Sequence, residues 1–211
     1  MFKYLNIKMN KGFTLSEILI AITVFTLVSS VAFGFFNHIF QSQKKVLAYQ
    51  ELFDQTSFVM EYMTRSIRMA KKQRIASPAA DPINCITTTG RNYEVIANNH
   101  IRFIRHDGTI LPPARPYVCY EFRLHSIMVN DIHINQLKVS RDRGVTWTPL
   151  TSPNLNVVNL RFRVDGDGFQ MPALQPRVTI ILEVRGREYG FGKRSIIHLQ
   201  TTVSQRDLDI Q

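Results

Sequence analysis

The chain has 211 residues, a formal net charge of +10 and two cysteines. This length supports one membrane segment plus one domain of ordinary size. The lysines and arginines are dispersed and do not alternate with aromatic residues, so the positive charge indicates solubility and a general attraction to anions more than nucleic-acid binding. The cysteines lie too far apart for the paired spacing of a zinc site.

A basic leader precedes a long apolar segment at the N-terminus. Residues 1–11 carry three lysines and no acidic residue. Residues 18–43 contain no Asp, Glu, Lys or Arg, so Glu17 is the only formal charge between Lys11 and Lys44. The apolar part reaches the roughly 20 residues that span a bilayer. A carboxylate at the edge of a bilayer core costs roughly 2.5–3.5 kcal/mol on insertion scales, so we expect it to have a partner.

Three interpretations fit this N-terminus. An uncleaved signal anchor would keep the basic end in the cytoplasm. A secretory signal would be cleaved after residues 30–32, which loosely match a small-x-small site, but Glu17 and the continuing apolar run at 33–36 oppose it. Cleavage after Gly12 would instead remove only the leader and leave the apolar helix on the mature protein. This third interpretation explains the most features.

The boundary between the leader and the apolar segment resembles the type III signal of the type IV pilin and pseudopilin superfamily. The resemblance rests on residues 11–15 (Lys-Gly-Phe-Thr-Leu) and Glu17, followed by the unbroken apolar stretch. It implies cleavage after Gly12 by a membrane prepilin peptidase, and N-methylation of the new N-terminal residue, Phe13. It also implies that Glu17, the fifth residue of the mature chain, pairs with the N-terminal amine of a neighbouring subunit during assembly.

For function, the resemblance implies a structural subunit of a type IV pilus or a type II secretion pseudopilus, with no enzymatic activity and no cofactor. The chain would begin as a single-pass protein of the cytoplasmic (inner) membrane, with its N-terminus in the cytoplasm, and then enter an extracytoplasmic fibre. Its partners would be other pilin or pseudopilin subunits, the prepilin peptidase, the inner-membrane assembly platform and the membrane. The apolar helix contains no proline, which favours a minor pilin or pseudopilin. Length and the segment 55–70 look similar to J-type minor pseudopilins and tip-type minor pilins.

Two alternatives remain open from the sequence. One is a signal-anchored extracytoplasmic enzyme or binding protein whose soluble domain works alone. An intact leader on the mature protein would favour it. The other is a DNA-binding minor pilin for uptake, which the net positive charge suggests. Salt-dependent DNA binding by the soluble domain would favour that interpretation.

Beyond the apolar segment, residues 37–74 contain no proline or glycine and predict an amphipathic continuation of the helix. Apolar residues three or four positions apart mark one helical face. They are Leu52, Thr56, Val59, Met63, Ile67 and Ala70. We therefore expect a leader at 1–12, a transmembrane and assembly half of the helix at 13–36, its amphipathic half at 37–74, and a β-rich globular domain at 75–211.

The last region has the alternating pattern of antiparallel strands. It predicts an α+β, pilin-like fold, in which a long N-terminal α-helix packs on a C-terminal antiparallel β-sheet. A two-residue turn at Asn98-Asn99 is expected to join the first hairpin. The predicted strands cover residues 93–97, 100–105, 117–124, 127–134, 137–141, 146–148, 157–164, 177–184 and 195–203.

Few residues of this domain suggest chemistry. Cys85 and Cys119 are either free buried thiols or, if the domain lies outside the cytoplasm, a disulfide, which is the better hypothesis. The six histidines do not cluster with acidic residues or cysteines at metal-ligand spacing. Residues 164–168 resemble part of a calcium loop but lack its other oxygen ligands, so a turn is expected there. Trp147 is expected in the core.

Overall fold

The structure is a computed structural model that describes residues 12–72, 85–88, 90–106, 117–129, 131–167, 175–186 and 195–206. The chain divides into two compact units, Met1–Val46 and Leu47–Gln211. The described residues form the helix α1 (Leu15–Arg68) and the strands β1 (Ala70–Lys71), β2 (Tyr93–Ile96), β3 (His100–His106), β4 (Tyr117–Val129), β5 (Ile132–Ser140), β6 (Thr148–Pro149), β7 (Leu155–Asp165), β8 (Arg177–Gly186) and β9 (Ile196–Ser204). A long helix followed by antiparallel strands confirms the predicted α+β class.

The helix α1 ends at Arg68, earlier than the predicted end near Arg74. The N–H of Met69 donates to the carbonyl of Ser66 at 3.2 Å, which closes the last turn with a tighter spacing. Ala70 then pairs with β3 as part of β1. Its predicted helical conformation was therefore wrong, whereas its predicted burial is confirmed, because the side chain is fully buried.

The C-terminal unit has one main apolar core, to which α1 and the strands of both sheets contribute. The buried side of the helix consists of Leu52, Thr56, Val59, Met60, Met63, Ser66 and Ile67. The hydroxyl of Thr56 donates to the carbonyl of Leu52 at 2.6 Å, so its burial leaves no unpaired donor. Each large apolar side chain that is fully buried contributes about 1.5–3 kcal/mol, so this stripe fixes the second half of α1 on the sheets.

The strands divide into two antiparallel sheets, a division that the sequence pattern did not predict. The larger sheet has the order β1-β3-β4-β5-β6, with β2 also paired to β3. The smaller sheet has the order β7-β8-β9. In β8 the alternation is as predicted, because Val178, Ile180, Leu182 and Val184 are all buried. This strand order decides which strands have a free edge.

The first hairpin lies where the sequence predicts it, but its turn has three residues instead of two. Ile96 pairs with His100, and Ala97 and Asn98 have φ angles of 52° and 59°. The strand that was predicted to end at Ala97 therefore ends one residue earlier, because Ala97 already has the left-handed conformation of a turn residue.

Strand β4 is longer than predicted. The sequence pattern predicts a break between Leu124 and Ile127, whereas β4 runs without interruption from Tyr117 to Val129. The chain reverses at Asp131, whose φ is 59°, and Ile127 pairs with Ile134 across the hairpin. The strand predicted at 127–134 was therefore wrong, since a turn divides it. An acidic residue such as Asp131 tolerates the left-handed conformation that this turn needs.

Candidate processing and assembly site

The helix α1 begins with reciprocal hydrogen bonds between Thr14 and Glu17. The backbone N–H of Thr14 donates to Oε2 of Glu17 at 2.9 Å, and the N–H of Glu17 donates to Oγ1 of Thr14 at 3.4 Å. The Thr14 hydroxyl also donates to Oε2 at 2.9 Å. This is a capping box, and it satisfies N–H groups that the start of a helix otherwise leaves without partners. Gly12 and Phe13 precede the helix, and Phe13 is 82% exposed.

The Glu17 carboxylate lies on an apolar surface. That surface is lined by Phe13, Ile18, Ala21, Ile22 and Phe25. None of the ion pairs among the described residues includes Glu17. A negative charge in the first turn of a helix is favourable, because it complements the positive end of the helix dipole. Among the residues from Gly12 onward that the structure describes, the carboxylate therefore has hydrogen bonds from the helix end but no ion pair.

The remainder of the N-terminal unit is a helix whose large apolar side chains are exposed around its circumference. Between Ile18 and Phe40, each large apolar side chain is at least 47% exposed, and Phe25 and Phe33 reach 71%. A continuous apolar surface of this kind is covered by lipid or by protein in a functional molecule. The helix is also long and apolar enough to cross a membrane.

Hydroxyl groups on the apolar segment are satisfied within the helix itself. Thr23 donates to the carbonyl of Ile20 at 2.8 Å, Thr26 donates to that of Thr23 at 2.9 Å, and Ser30 donates to that of Leu27 at 2.8 Å. Because these donors already have acceptors, they need no water. Such internal satisfaction is what a lipid bilayer or a tightly packed bundle of helices requires.

The prokaryotic N-terminal methylation motif matches residues 7–33. This motif supports the resemblance of the N-terminal segment to the type IV pilin and pseudopilin superfamily. The matched segment contains Gly12, Phe13, the capping box and most of the apolar stretch. No curated protein and no solved structure matches the chain. For a pilin-like protein the motif implies membrane anchoring, later residence in a pilus or pseudopilus, and association with other pilin subunits and a prepilin peptidase.

A disulfide between Cys85 and Cys119 lies in the C-terminal unit. The Cα atoms are 5.5 Å apart, and Cys119 belongs to β4. Ile86 and Ile104 complete a small buried cluster around the bridge, separate from the main core. The bond therefore ties the segment that precedes β2 to the middle of the larger sheet.

Replacing both cysteines by alanine is expected to lower the free energy of unfolding by roughly 3–4 kcal/mol, because a loop of this length is no longer closed in the unfolded chain. Urea unfolding of the full-length protein in detergent, followed by Trp147 fluorescence, measures the loss. Wild-type protein under reducing conditions is the matched control, and it should unfold at the same urea concentration as the double variant. An unfolding midpoint that reduction does not change would contradict this prediction.

A buried charge network between β3 and β4 did not emerge from the sequence. Oε2 of Glu121 lies 2.8 Å from Nε2 of His100, and Oε1 forms an ion pair at 2.9 Å with Nε of Arg102. Glu121 is only 1% exposed. Arg102 also lies 3.7 Å from a carboxylate oxygen of Glu94. Arg102 and Glu121 are direct cross-strand partners, so this pair can be predicted only when the strand register is known.

This network keeps Glu121 ionised. Burial by itself raises the pKa of the carboxyl, but the hydrogen bond with His100 and the charge of Arg102 outweigh it, so the pKa lies below its ordinary value. Both carboxylate oxygens face these two partners, which fits a structural role in holding β3 to β4.

The predicted calcium-like fragment at 164–168 is described as far as Asp167. The carboxylate of Asp167 accepts the backbone N–H groups of Asn92 at 2.9 Å and Tyr93 at 3.0 Å. Burial raises the pKa of Asp167, while these hydrogen bonds oppose the shift. The carboxylate oxygens of Asp167 are thus used in hydrogen bonds that connect the end of β7 to the start of β2. In the part of the chain that the structure describes, no group of three or more His, Cys, Asp or Glu residues could hold a metal ion.

Trp147 was wrongly predicted to lie in the core. Its side chain is half-buried beside β4, with its ring centroid 4.4 Å from that of His125. The indole N–H donates to the carbonyl of Gly144 at 2.9 Å, in a turn where Gly144 has a φ of 77°. The polar indole nitrogen thus finds its acceptor in a local turn, which keeps the ring at the surface of the sheet.

Proposed function

We propose that the chain is a minor pilin or pseudopilin subunit of a type IV pilus or a type II secretion pseudopilus. It is cut after Gly12, methylated at Phe13 and assembled through α1. The observation that carries this proposal is the methylation motif at 7–33, followed by a helix whose large apolar side chains are exposed among the described residues. A fibre of packed helices would cover that surface after the bilayer has done so.

The proposed role of Gly12 is recognition by the peptidase. A Cβ atom added at Gly12 would meet no atom within 4 Å, so nothing in the described chain requires glycine there on steric grounds. Gly12 also lies outside the helix, directly before exposed Phe13. Backbone that lies outside a helix, and so is not held by helical hydrogen bonds, is accessible to a protease at the scissile bond.

The proposed role of Glu17 is to pair with the amine that cleavage creates at Phe13 of a neighbouring subunit. The capping box supplies hydrogen bonds but no positive charge, and the surrounding surface is apolar. An unpaired charge in such surroundings is costly, whereas a close opposite charge offsets the cost. Assembly would therefore be favoured when a freed amine approaches this carboxylate.

The proposed orientation places the N-terminus in the cytoplasm before assembly. The three lysines of the leader favour the cytoplasmic side of the membrane. The disulfide in the C-terminal unit fits an oxidising compartment outside the cytoplasm. The inner-membrane assembly platform would then extract the processed chain into the fibre.

Fibre isolation tests this function. The sheared fibre fraction of the source cells is compared with that of cells lacking the prepilin peptidase, and this chain is quantified beside the most abundant subunit. We expect the chain in fibres only when the peptidase is present, at far fewer copies than the main subunit. Equal copy numbers would contradict a minor subunit, and a chain that stays wholly in the membrane fraction would contradict a fibre subunit.

An enzymatic soluble domain has less support. A cavity in the C-terminal unit, lined by Leu52, Gln55, Leu155 and Gly186 among others, has a volume of about 30 Å³. This is room for about one water molecule, which is far below the size of a typical ligand site. The methylation motif at 7–33, and not the size of this one cavity, is what favours a structural subunit over an enzyme or binding protein.

A further inference from the structure

Most strand edges of the C-terminal unit are covered by other groups of the chain. At the edge of β5, the N–H of Asn135 donates to Oδ1 of Asn156, and the N–H of Leu137 donates to Oγ1 of Thr151. The short strand β6 covers the end of the same edge. Edges that are capped in this way cannot accept another strand.

The outer edges of β2 and β7 are covered as well, at least in part. The N–H of Tyr93, where β2 begins, donates to the carboxylate of Asp167. The N–H of Phe162 in β7 donates to the carbonyl of Asn98 at 2.8 Å. The remaining edge strand is β9, which lies at the side of the smaller sheet opposite β7.

Among the described residues, no group covers the outer edge of β9 in this way. The N–H of Gln205 donates to the carbonyl of Pro176, and the N–H of Gly186 donates to that of Ser195, so the odd-numbered residues of β9 bond with β8. The even-numbered residues direct their backbone groups outward. They are Ile196, His198, Gln200, Thr202 and Ser204. Throughout the described residues, no other group forms a hydrogen bond with these outward N–H and C=O groups.

The sequence of β9 also lacks the features that protect exposed edges. Its nine residues include no Asp, Glu, Lys, Arg, Pro or Gly. Every other described strand of four or more residues carries at least one formal charge. Natural proteins usually place Lys, Pro or a bulge on a free edge to prevent pairing. A long, uncharged edge rich in β-branched residues is therefore suited to receive a strand.

We propose that the outer edge of β9 pairs with an extended segment of a different, less basic subunit of the same fibre. An extended backbone fits because it alone presents donors and acceptors in the matching alternation along the strand. That the partner is a fibre subunit rests on the proposed function. The pairing surface itself rests on the geometry of β9.

Charge favours a different subunit over a second copy of this chain. The full chain has a formal net charge of +10, and removal of the leader with its three lysines leaves +7 on the side chains of each copy. Two further cations lie on the neighbouring strand β8, where Arg185 is the register partner of Ile196 and Arg177 that of Ser204. Two copies of this chain would repel each other through their net positive charge, whereas a less basic chain would be repelled less and an acidic one attracted.

Gln200 is the position at which the edge can be blocked selectively. Its N–H points away from β8, so Gln200→Pro removes an outward donor and places a ring in the path of an added strand, while the β8–β9 hydrogen bonds are kept. Gln200→Ala removes the same side chain but keeps the outward N–H, so it is the matched control. Circular dichroism of both variants verifies that the fold is retained.

Hydrogen exchange of β9 tests the pairing. Full-length protein in detergent is mixed with each of the other prepilin-type subunits of the source cell in turn, and with a second sample of itself. One of the other subunits should slow exchange in β9 about tenfold or more for wild type and Gln200→Ala, and not for Gln200→Pro. No slowing with any subunit, equal slowing for Gln200→Pro, or slowing by the chain itself alone would overturn the proposal.

A Glu17→Gln variant separates this proposal from the proposed function, because Glu17 is far from β9 in sequence and belongs to the N-terminal unit. We expect Glu17→Gln to lose entry into fibres but to keep the slowed exchange in β9. Slowed exchange in β9 combined with a wild-type chain that never enters fibres would contradict the proposed function and support the edge. A wild-type chain that enters fibres without slowed exchange in β9 would support the proposed function and contradict the edge pairing.

Discussion

Replacing Glu17 by Gln is expected to leave a folded, membrane-inserted protein that no longer enters the fibre. Gln keeps an oxygen that can accept the Thr14 N–H, so the helix can still start at the same residue. It cannot neutralise the amine of a neighbouring subunit, which then remains an unpaired charge in apolar surroundings. Breaking a buried charge pair in this way costs about 3–5 kcal/mol. Immunoblots of membrane and fibre fractions measure the outcome.

Two further variants separate the charge of Glu17 from its capping role. Glu17→Ala removes both the charge and the capping oxygen. Like Glu17→Gln, it should fail to assemble. Thr14→Ala removes the threonine part of the capping box but keeps the carboxylate, at a cost of about 1 kcal/mol in helix stability. We expect Thr14→Ala to enter fibres. If Glu17→Gln assembles normally while Thr14→Ala and Glu17→Ala fail, Glu17 acts as a helix cap and the pairing role is wrong.

Replacing Glu121 by Ala is expected to lower the free energy of unfolding by about 3–5 kcal/mol, because it removes the carboxylate that compensates a largely buried arginine. His100 would lose its hydrogen-bond partner, and Arg102 its closest anion. Urea unfolding of the full-length protein in detergent, followed by circular dichroism, measures the loss.

Glu94→Ala is the matched control for this network. Glu94 faces the same guanidinium at a longer distance of 3.7 Å, and its side chain is more exposed than that of Glu121. Its loss should cost less than about 1 kcal/mol, as for pairs near the surface. Equal losses for Glu94→Ala and Glu121→Ala would show that the buried network has no special importance.

The contribution of Glu121 should also depend on pH. Because its pKa in the folded protein lies below the ordinary value of 4.5, the ionised form is preferred in the folded state. The stabilisation is therefore fully present above the pKa of the unfolded chain and is lost as the pH falls through the lower, folded-state pKa. The difference between wild type and Glu121→Ala should shrink below about pH 4. A difference that stays constant there would contradict the assigned pKa direction.

The sequence predicted best what depends on residues close together in the chain. The N-terminal methylation motif at 7–33, the uncharged segment after Glu17 and the apolar stripe around Met63 are all local patterns. The alternation of β8 is local as well. A charge pattern or a helical period is complete within one or two turns or one strand, so no knowledge of the tertiary structure is required. The spacing of Thr14 and Glu17 also fits a capping box, but the sequence predictions considered only the charge of Glu17.

Features that depend on strand register and strand order were not predictable in this way. Glu121 meets Arg102 only because β3 and β4 pair in one particular register. The division into two sheets, and hence the free edge of β9, follows from strand order, which a single sequence does not reveal. The missed continuity of β4 has a related cause. Asp131 is a weak turn signal by itself, and pairing with β5 decided where the strand ends.

The mass of the mature N-terminal peptide tests the processing proposal. Protein from the native cells is digested and its first peptide is sequenced by mass spectrometry. The proposal predicts a chain that begins at Phe13 and carries one methyl group on its amine. A mature protein that retains Gly12 and the leader, or one that begins after Ala32, would contradict the proposed cleavage and with it the assembly role of Glu17.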